Sequence, residues 1–173
     1  ATAFAKEYPE KAIACVINGT QILASARHKH FYKGWLKVLE CGGFETLYRT
    51  LIAPYIISEG FFATNEDKID EIVKGVLSRV NDEAAKKLIE AAHNFGYTEQ
   101  EISRIKTPAL IISGKEDLFC PLYLVEKIHS LWQNSKLHIF ENAAHFPQRD
   151  LTAQYNKLVL HYLKDKPNYS FDI

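Results

Sequence analysis

The sequence predicts an α/β protein: one flank of a parallel sheet, interrupted by a long helical insertion. Three observations predict it. Residues 108–147 read as strand, acidic turn, helix, strand and histidine loop. Residues 12–17 (AIACVI) form a short apolar run ended by Asn18-Gly19. Between these, residues 21–104 lack strand alternation and carry mostly helical pattern.

Pro108 opens the apolar run Ala109–Ile112, too short for a helix and rich in β-branched residues. Ser113-Gly114 ends it, and the charged turn Lys115-Glu116-Asp117 follows. Cys120-Pro121 then starts a helix, with proline where its missing N–H costs nothing. Leu122, Val125, Ile128, His129 and Trp132 give that helix one apolar face, and Asn134-Ser135 stops it. Leu137–Phe140 is the second strand, and Asn142-Ala143-Ala144-His145 the loop after it.

Strand, crossover helix and strand make the unit of a parallel sheet. Asp117 follows the first of these strands and His145 the second, and the C-terminal ends of strands are where open α/β sheets place their chemistry. Neighbouring strands would therefore hold a carboxylate and an imidazole side by side. That pair suits activation of a nucleophile: the acid fixes the tautomer and stabilises the imidazolium, and the imidazole takes the proton. Glu116 is the nearest rival to Asp117, but its neighbouring position points it elsewhere.

With 173 residues, 47% of them hydrophobic, the chain can bury the core of one ordinary domain. Basic and acidic residues balance at 21 each, so nothing recruits nucleic acid or an anionic membrane. No apolar run is long enough to span a bilayer, and no signal peptide is expected within these residues. Cys15, Cys41 and Cys120 are odd in number and widely spaced, which fits free thiols in a reducing, cytoplasmic setting. His28 and His30 flank Lys29, but no carboxylate or cysteine cluster joins them, so no metal site is expected. Carboxylate pairs for glycoside chemistry and Gly-rich phosphate loops are missing, and no cofactor is expected.

In chain order, ATAFA reads as helix from its first residue, and Pro9 forces Tyr8 out of the helical region. Within the insertion, helices are expected over 30–40, 43–53, 65–80 and 82–94, with a last turn over 98–104. Ile69, Ile72, Val73, Val76, Leu77 and Val80 form the clearest stripe. A span of about 80 residues is too long for an ordinary crossover. The tail 166–173 is expected to be a surface extension.

The pieces ALIISGKED, CPLYLVEKIHSLW, KLHIF, AAHFPQRD and LTAQYNKLVLHYLKD together resemble the C-terminal third of the α/β-hydrolases. Asp117 and His145 stand 28 residues apart, which suits that family, and Ala144 departs from the glycine usual before the histidine. The segment FAKEYPEK resembles the end of the helix that follows the family's nucleophile elbow. The resemblance implies several things at once. Residues 1–20 and 105–165 would be core, and 21–104 a cap over the pocket. Asp117 would orient His145, which would serve as general base and then general acid in a Ser-His-Asp hydrolysis of an ester, thioester or lactone of a small apolar acid. The elbow Gly-x-Ser-x-Gly does not occur in these residues, so the serine is expected upstream of Ala1.

The absence of methionine and the start within a helix also fit a chain that continues upstream. The strand at 12–18 would then need a companion polypeptide or self-association to cover its edge, and the chain alone would be inactive. Among the aromatics, Trp35, Phe61, Phe62 and Phe146 are expected to face the pocket, with Asn18 and Gly19 at its rim. Two alternatives remain: a non-catalytic binding module on the same scaffold, or a dehalogenase or haloperoxidase relative, which the nucleophile would decide.

Overall fold

Three parallel strands meet at the centre of the chain, and their register sets the two predicted loops beside each other. The computed structural model describes residues 1–164; the tail expected over 166–173 lies outside them. Strand β1 runs Cys15–Asn18, β2 Ala109–Gly114 and β3 Ser135–Phe140, in the order β1-β2-β3. Asn18 stands opposite Ile112, and Gly114 opposite Phe140, so all three strands end at one edge of the sheet.

Every residue of β2 is buried, as a central parallel strand covered on both faces requires. Helices α1 (Thr2–Glu7), α7 (Glu99–Ser103) and α8 (Leu122–Leu131) contribute to one face, where Ala5, Ile17, Ile102, Ile111, Val125 and Trp132 form one core. The Trp132 indole N–H donates to the Thr107 carbonyl at 2.9 Å, so its polar atom is satisfied within that core. On the other face Leu110, Ile112 and Phe140 pack against Tyr162 of α10 (Thr152–Lys164). The short helix α9 (Pro147–Asp150) precedes α10.

The strands are offset slightly from the sequence reading. β1 begins at Cys15 rather than at residue 12, because a turn after Pro9 carries the chain to that point. β3 begins two residues early, at Ser135. Pro121 occupies the N-cap of α8 in extended conformation, one position before the first turn.

Between β1 and β2 lie α2 (Ala26–Leu47), α3 (Ala53–Ile56), α4 (Glu59–Thr64), α5 (Ile69–Leu77) and α6 (Asp82–Asn94). Ser25, Ser58 and Asn81 cap α2, α4 and α6 with side-chain oxygens. The helix read over 30–40 lies within α2, which breaks at Gly43 where φ is +71°, and the one read over 43–53 begins in the last turns of α2 and runs on past its end. Asp82 accepts a hydrogen bond from the Phe44 N–H at 2.8 Å and so caps the second half. A π-helical stretch over Tyr48–Ile52 then carries the chain into Pro54. The stripe read over 65–80 shortens to a 3₁₀ turn and α5. These helices share a separate core around Tyr32, Leu47, Ile56, Val73 and Ile89. Among the described residues, no helix is long and apolar enough to cross a membrane.

Candidate active site

The two loops that the register brings together put Asp117 and His145 in contact. Asp117 Oδ2 lies 2.8 Å from His145 Nδ1. A carboxylate only accepts, so Nδ1 carries the proton and Nε2 is left bare when the ring is neutral. The Asp117 side chain is completely buried, whereas that of His145 keeps 18% of its surface. One partner is thus sealed and the other reachable.

Asp117 divides its oxygens. Oδ1 accepts the backbone N–H groups of Phe119 (3.0 Å) and Cys120 (2.8 Å), which fixes the turn into α8. Oδ2 is therefore held towards the imidazole. Glu116, the rival acid, points away and accepts the Glu59 N–H at the first residue of α4. Lys115 pairs with Glu141 beyond β3.

The histidine loop is held by close backbone approach. A Cβ on Gly114 would lie 2.2 Å from the carbonyl oxygens of both Ala143 and Ala144, so only glycine lets the loop cross the end of β2. Gly19 has φ +52°, and a Cβ there would meet His145 Nδ1 at 2.9 Å. Ala144, which stands where the resemblance leads one to expect glycine, is fully buried, and its N–H donates to Asp150 at 3.1 Å. Asn18 donates to the His145 carbonyl at 3.2 Å and to Gln148 at 3.0 Å.

His145 opens onto a cavity of about 470 Å³ walled by Tyr32, Trp35, Phe44, Ile89 and Phe119, with further aliphatic residues between them. No Lys, Arg, Asp or Glu lines it. Trp35 stands in this wall. Phe146 packs edge-on against the His145 ring, with centroids 5.0 Å apart, but is not part of that wall. Phe61 and Phe62 do not line the cavity either. Phe61 lies beneath the Arg149 guanidinium, 4.2 Å from its ring centre, and Phe62 packs into the helical core.

Phe119 is the aromatic that sequence reading missed. Its ring stacks on Trp35 (5.3 Å) and stands edge-on to His145 (5.7 Å). Its only signal was position, an apolar residue two places after the acid. Tyr32 stands beside Phe119 in the wall; its hydroxyl donates to Gln21 at 2.6 Å, and burial pushes its pKa up to about 12.

Asp117, Cys120 and His145 also bring potential metal-ligand atoms within 4.8 Å of one another. Their chemistry argues against a metal. Both Asp117 oxygens are engaged, and the Cys120 thiol donates to the Gly19 carbonyl at 3.5 Å. Burial holds that thiol well above its ordinary pKa, so the thiolate a metal needs is disfavoured. His28 and His30 do not converge. His28 is buried against Phe119, and His30 lines a second, smaller cavity.

No family model matches the chain. A protein of Burkholderia vietnamiensis named 2-hydroxy-6-oxononadienedioate/2-hydroxy-6-oxononatrienedioate hydrolase is 33% identical over 63 residues, which is 36% of this chain and 22% of that protein. A proline iminopeptidase of Lactobacillus acidophilus is 35% identical over 71 residues, 41% of this chain and 24% of that protein. The crystal structure of an α/β-hydrolase enzyme from a Medee basin deep-sea metagenome library superposes with a TM-score of 0.83 at 26% identity, covering 99% of this chain and 62% of that one. This chain has the C-terminal part of the α/β-hydrolase fold. The enol-lactonase of Burkholderia xenovorans LB400 shares that fold, with a TM-score of 0.80 at 15% identity over 94% of this chain and 60% of the other. The chain therefore spans less than two thirds of the length of each of these proteins. Within the α/β-hydrolase fold, Asp117 and His145 follow adjacent strands of the same flank.

Proposed function

We propose that this chain supplies the acid and the histidine of a Ser-His-Asp hydrolase acting on an ester, thioester or lactone of a small apolar acid. The observation that carries the reading is the 2.8 Å contact between Asp117 Oδ2 and His145 Nδ1 beside an apolar cavity. A buried carboxylate on Nδ1 leaves Nε2 to take a proton from a hydroxyl nucleophile and later return it to the leaving group. The serine lies outside these 173 residues, because they hold no Gly-x-Ser-x-Gly elbow. Residues 21–104 act as the cap and present the aromatic wall to the acyl group, as Tyr32 and Trp35 on α2 support. The three free thiols fit a reducing compartment.

The test is turnover of aryl and alkyl esters and enol lactones by the complete protein carrying the elbow. H145A should lower kcat about 10³-fold or more with little change in Tm, and D117N should be of similar size because an amide misplaces the tautomer. Unchanged turnover in H145A would overturn the reading and favour the non-catalytic module.

The same reading needs the open edge of β1 to be covered. Among the described residues β1 pairs only with β2. Phe4, Tyr8 and Ile13, near that strand in the chain, are 49%, 43% and 46% exposed. An unpaired apolar strand edge attracts another strand. The isolated 173-residue chain should therefore elute as a dimer or larger species, and convert to a 1:1 complex with a polypeptide carrying the upstream half. A clean monomer in light scattering at micromolar concentration would count against this.

A further inference from the structure

The residue that stands out beyond the acid–base pair is His28 on α2. It is 1% exposed, and its Nε2 lies 2.7 Å from the Phe119 carbonyl oxygen. A carbonyl only accepts, so Nε2 carries the proton. Nδ1 is buried and takes no hydrogen bond. Burial lowers the pKa of this imidazole, and a second ring proton would have no acceptor, so the ring is a neutral donor with one fixed tautomer.

The Phe119 carbonyl and the Cys120 N–H belong to one peptide group, and that N–H donates to Asp117 Oδ1 at 2.8 Å. The hydrogen bonds therefore run in series. His28 Nε2–H donates to the Phe119 carbonyl, the Cys120 N–H donates to Asp117 Oδ1, and His145 Nδ1–H donates to Asp117 Oδ2. Donation to a carbonyl makes the amide on the same peptide a stronger donor, so bonds in such a chain reinforce one another. The ring of Phe119 touches His28, Tyr32, Trp35 and His145, with centroids between 5.2 and 6.3 Å apart. The peptide that His28 holds therefore also carries the side chain between α2 and the imidazole.

We propose that His28 is a positioning residue that couples helix α2 to the Asp117–His145 pair through the single peptide group joining Phe119 to Cys120. It rests on the reading of Asp117 and His145 as the acid–base pair. Displacing α2 removes the donor, slackens the Cys120 amide bond to Asp117, and frees the carboxylate to turn away from Nδ1. A group that enters the cavity and moves Phe119 acts on the same peptide.

The test is NMR on the 173-residue chain, isotopically labelled and held in its complex with a polypeptide carrying the upstream half, which reads these hydrogen bonds whether or not the protein hydrolyses anything. In the parent, a coupling across the hydrogen bond should link His28 Nε2 to the Phe119 carbonyl carbon; its absence in the folded chain overturns the proposal. H28F keeps a flat ring and loses the donor. It should move the Cys120 amide proton upfield and speed exchange of the His145 Nδ1 proton about tenfold, the factor one hydrogen bond carries. H28Q places an amide donor near the position of Nε2 and should restore both signals. A folded H28F with both signals unchanged overturns the proposal, as does H28Q behaving like H28F, since shape rather than donation would then be at work. If H28F does not fold, the parent coupling and H28Q decide. A failed H145A turnover test with the coupling intact would remove the catalytic reading and leave the relay standing.

Discussion

Asp117 and His145 on the sheet flank are held mainly by backbone: two N–H groups on Asp117 Oδ1, and a loop pressed onto Gly114 and Gly19. Tyr32 and Trp35 in the helical region are held by side chains, through ring contacts to Phe119 and a hydroxyl bond to Gln21. Backbone approach leaves no slack, because a single Cβ is too large at either glycine. Ring contacts between 5 and 7 Å can be remade with other residues of similar volume. The flank holds the carboxylate–imidazole pair and the helices supply most of the cavity wall, and the two differ in how much change each tolerates.

Substituting Gly114→Ala probes the rigid side and should have the larger effect. The new Cβ would stand 2.2 Å from two carbonyl oxygens, so the histidine loop must move. We expect a loss of about 3 kcal/mol in denaturant unfolding, with the His145 Nδ1 proton lost to exchange. A loss below about 1 kcal/mol, smaller than ordinary overpacking costs, would show that the loop has slack and would erase the contrast. Asp82→Ala probes the helical side. It removes the acceptor for the Phe44 N–H at the Gly43 break. The expected loss is about 1 kcal/mol, the usual worth of a helix cap, with faster amide exchange confined to residues near Phe44. Exchange changes reaching Asp117 would mean that the two regions are less separable than the packing implies.

The same contrast explains what could be read from the residues alone. The flank was legible because its signals are local. Each strand is a short apolar run closed by turn residues, and each chemical group follows a strand directly, so sheet topology alone brings Asp117 to His145. The register, which aligns the strand ends, needed only parallel pairing. The helices at Asp82–Asn94 and Glu99–Ser103 were legible too, from their pattern, and Asn81 and the Thr98/Glu101 capping box hold their starts. The pocket wall was not. Phe61, Phe62 and Trp35 all lie on helices rich in apolar residues, and only the path of α2 and α4 decides which of them faces His145. The π-helical stretch at Tyr48–Ile52 and the break at Gly43 turn those faces by amounts no period reveals. Phe119 was hidden differently, since its role comes from its backbone as much as from its ring.

One feature of the flank bears on how its length could change. Lys115, Glu116 and Asp117 are consecutive, yet each reaches a different segment: Glu141 after β3, the start of α4, and His145. Surface turns are where insertions and deletions usually survive. Here a gain or loss of one residue would move each side chain to its neighbour's target, setting lysine or glutamate against the imidazole and separating α4 from the sheet. The tripeptide works as a three-way junction with a fixed reading frame, so a viable change in length on this edge must fall elsewhere.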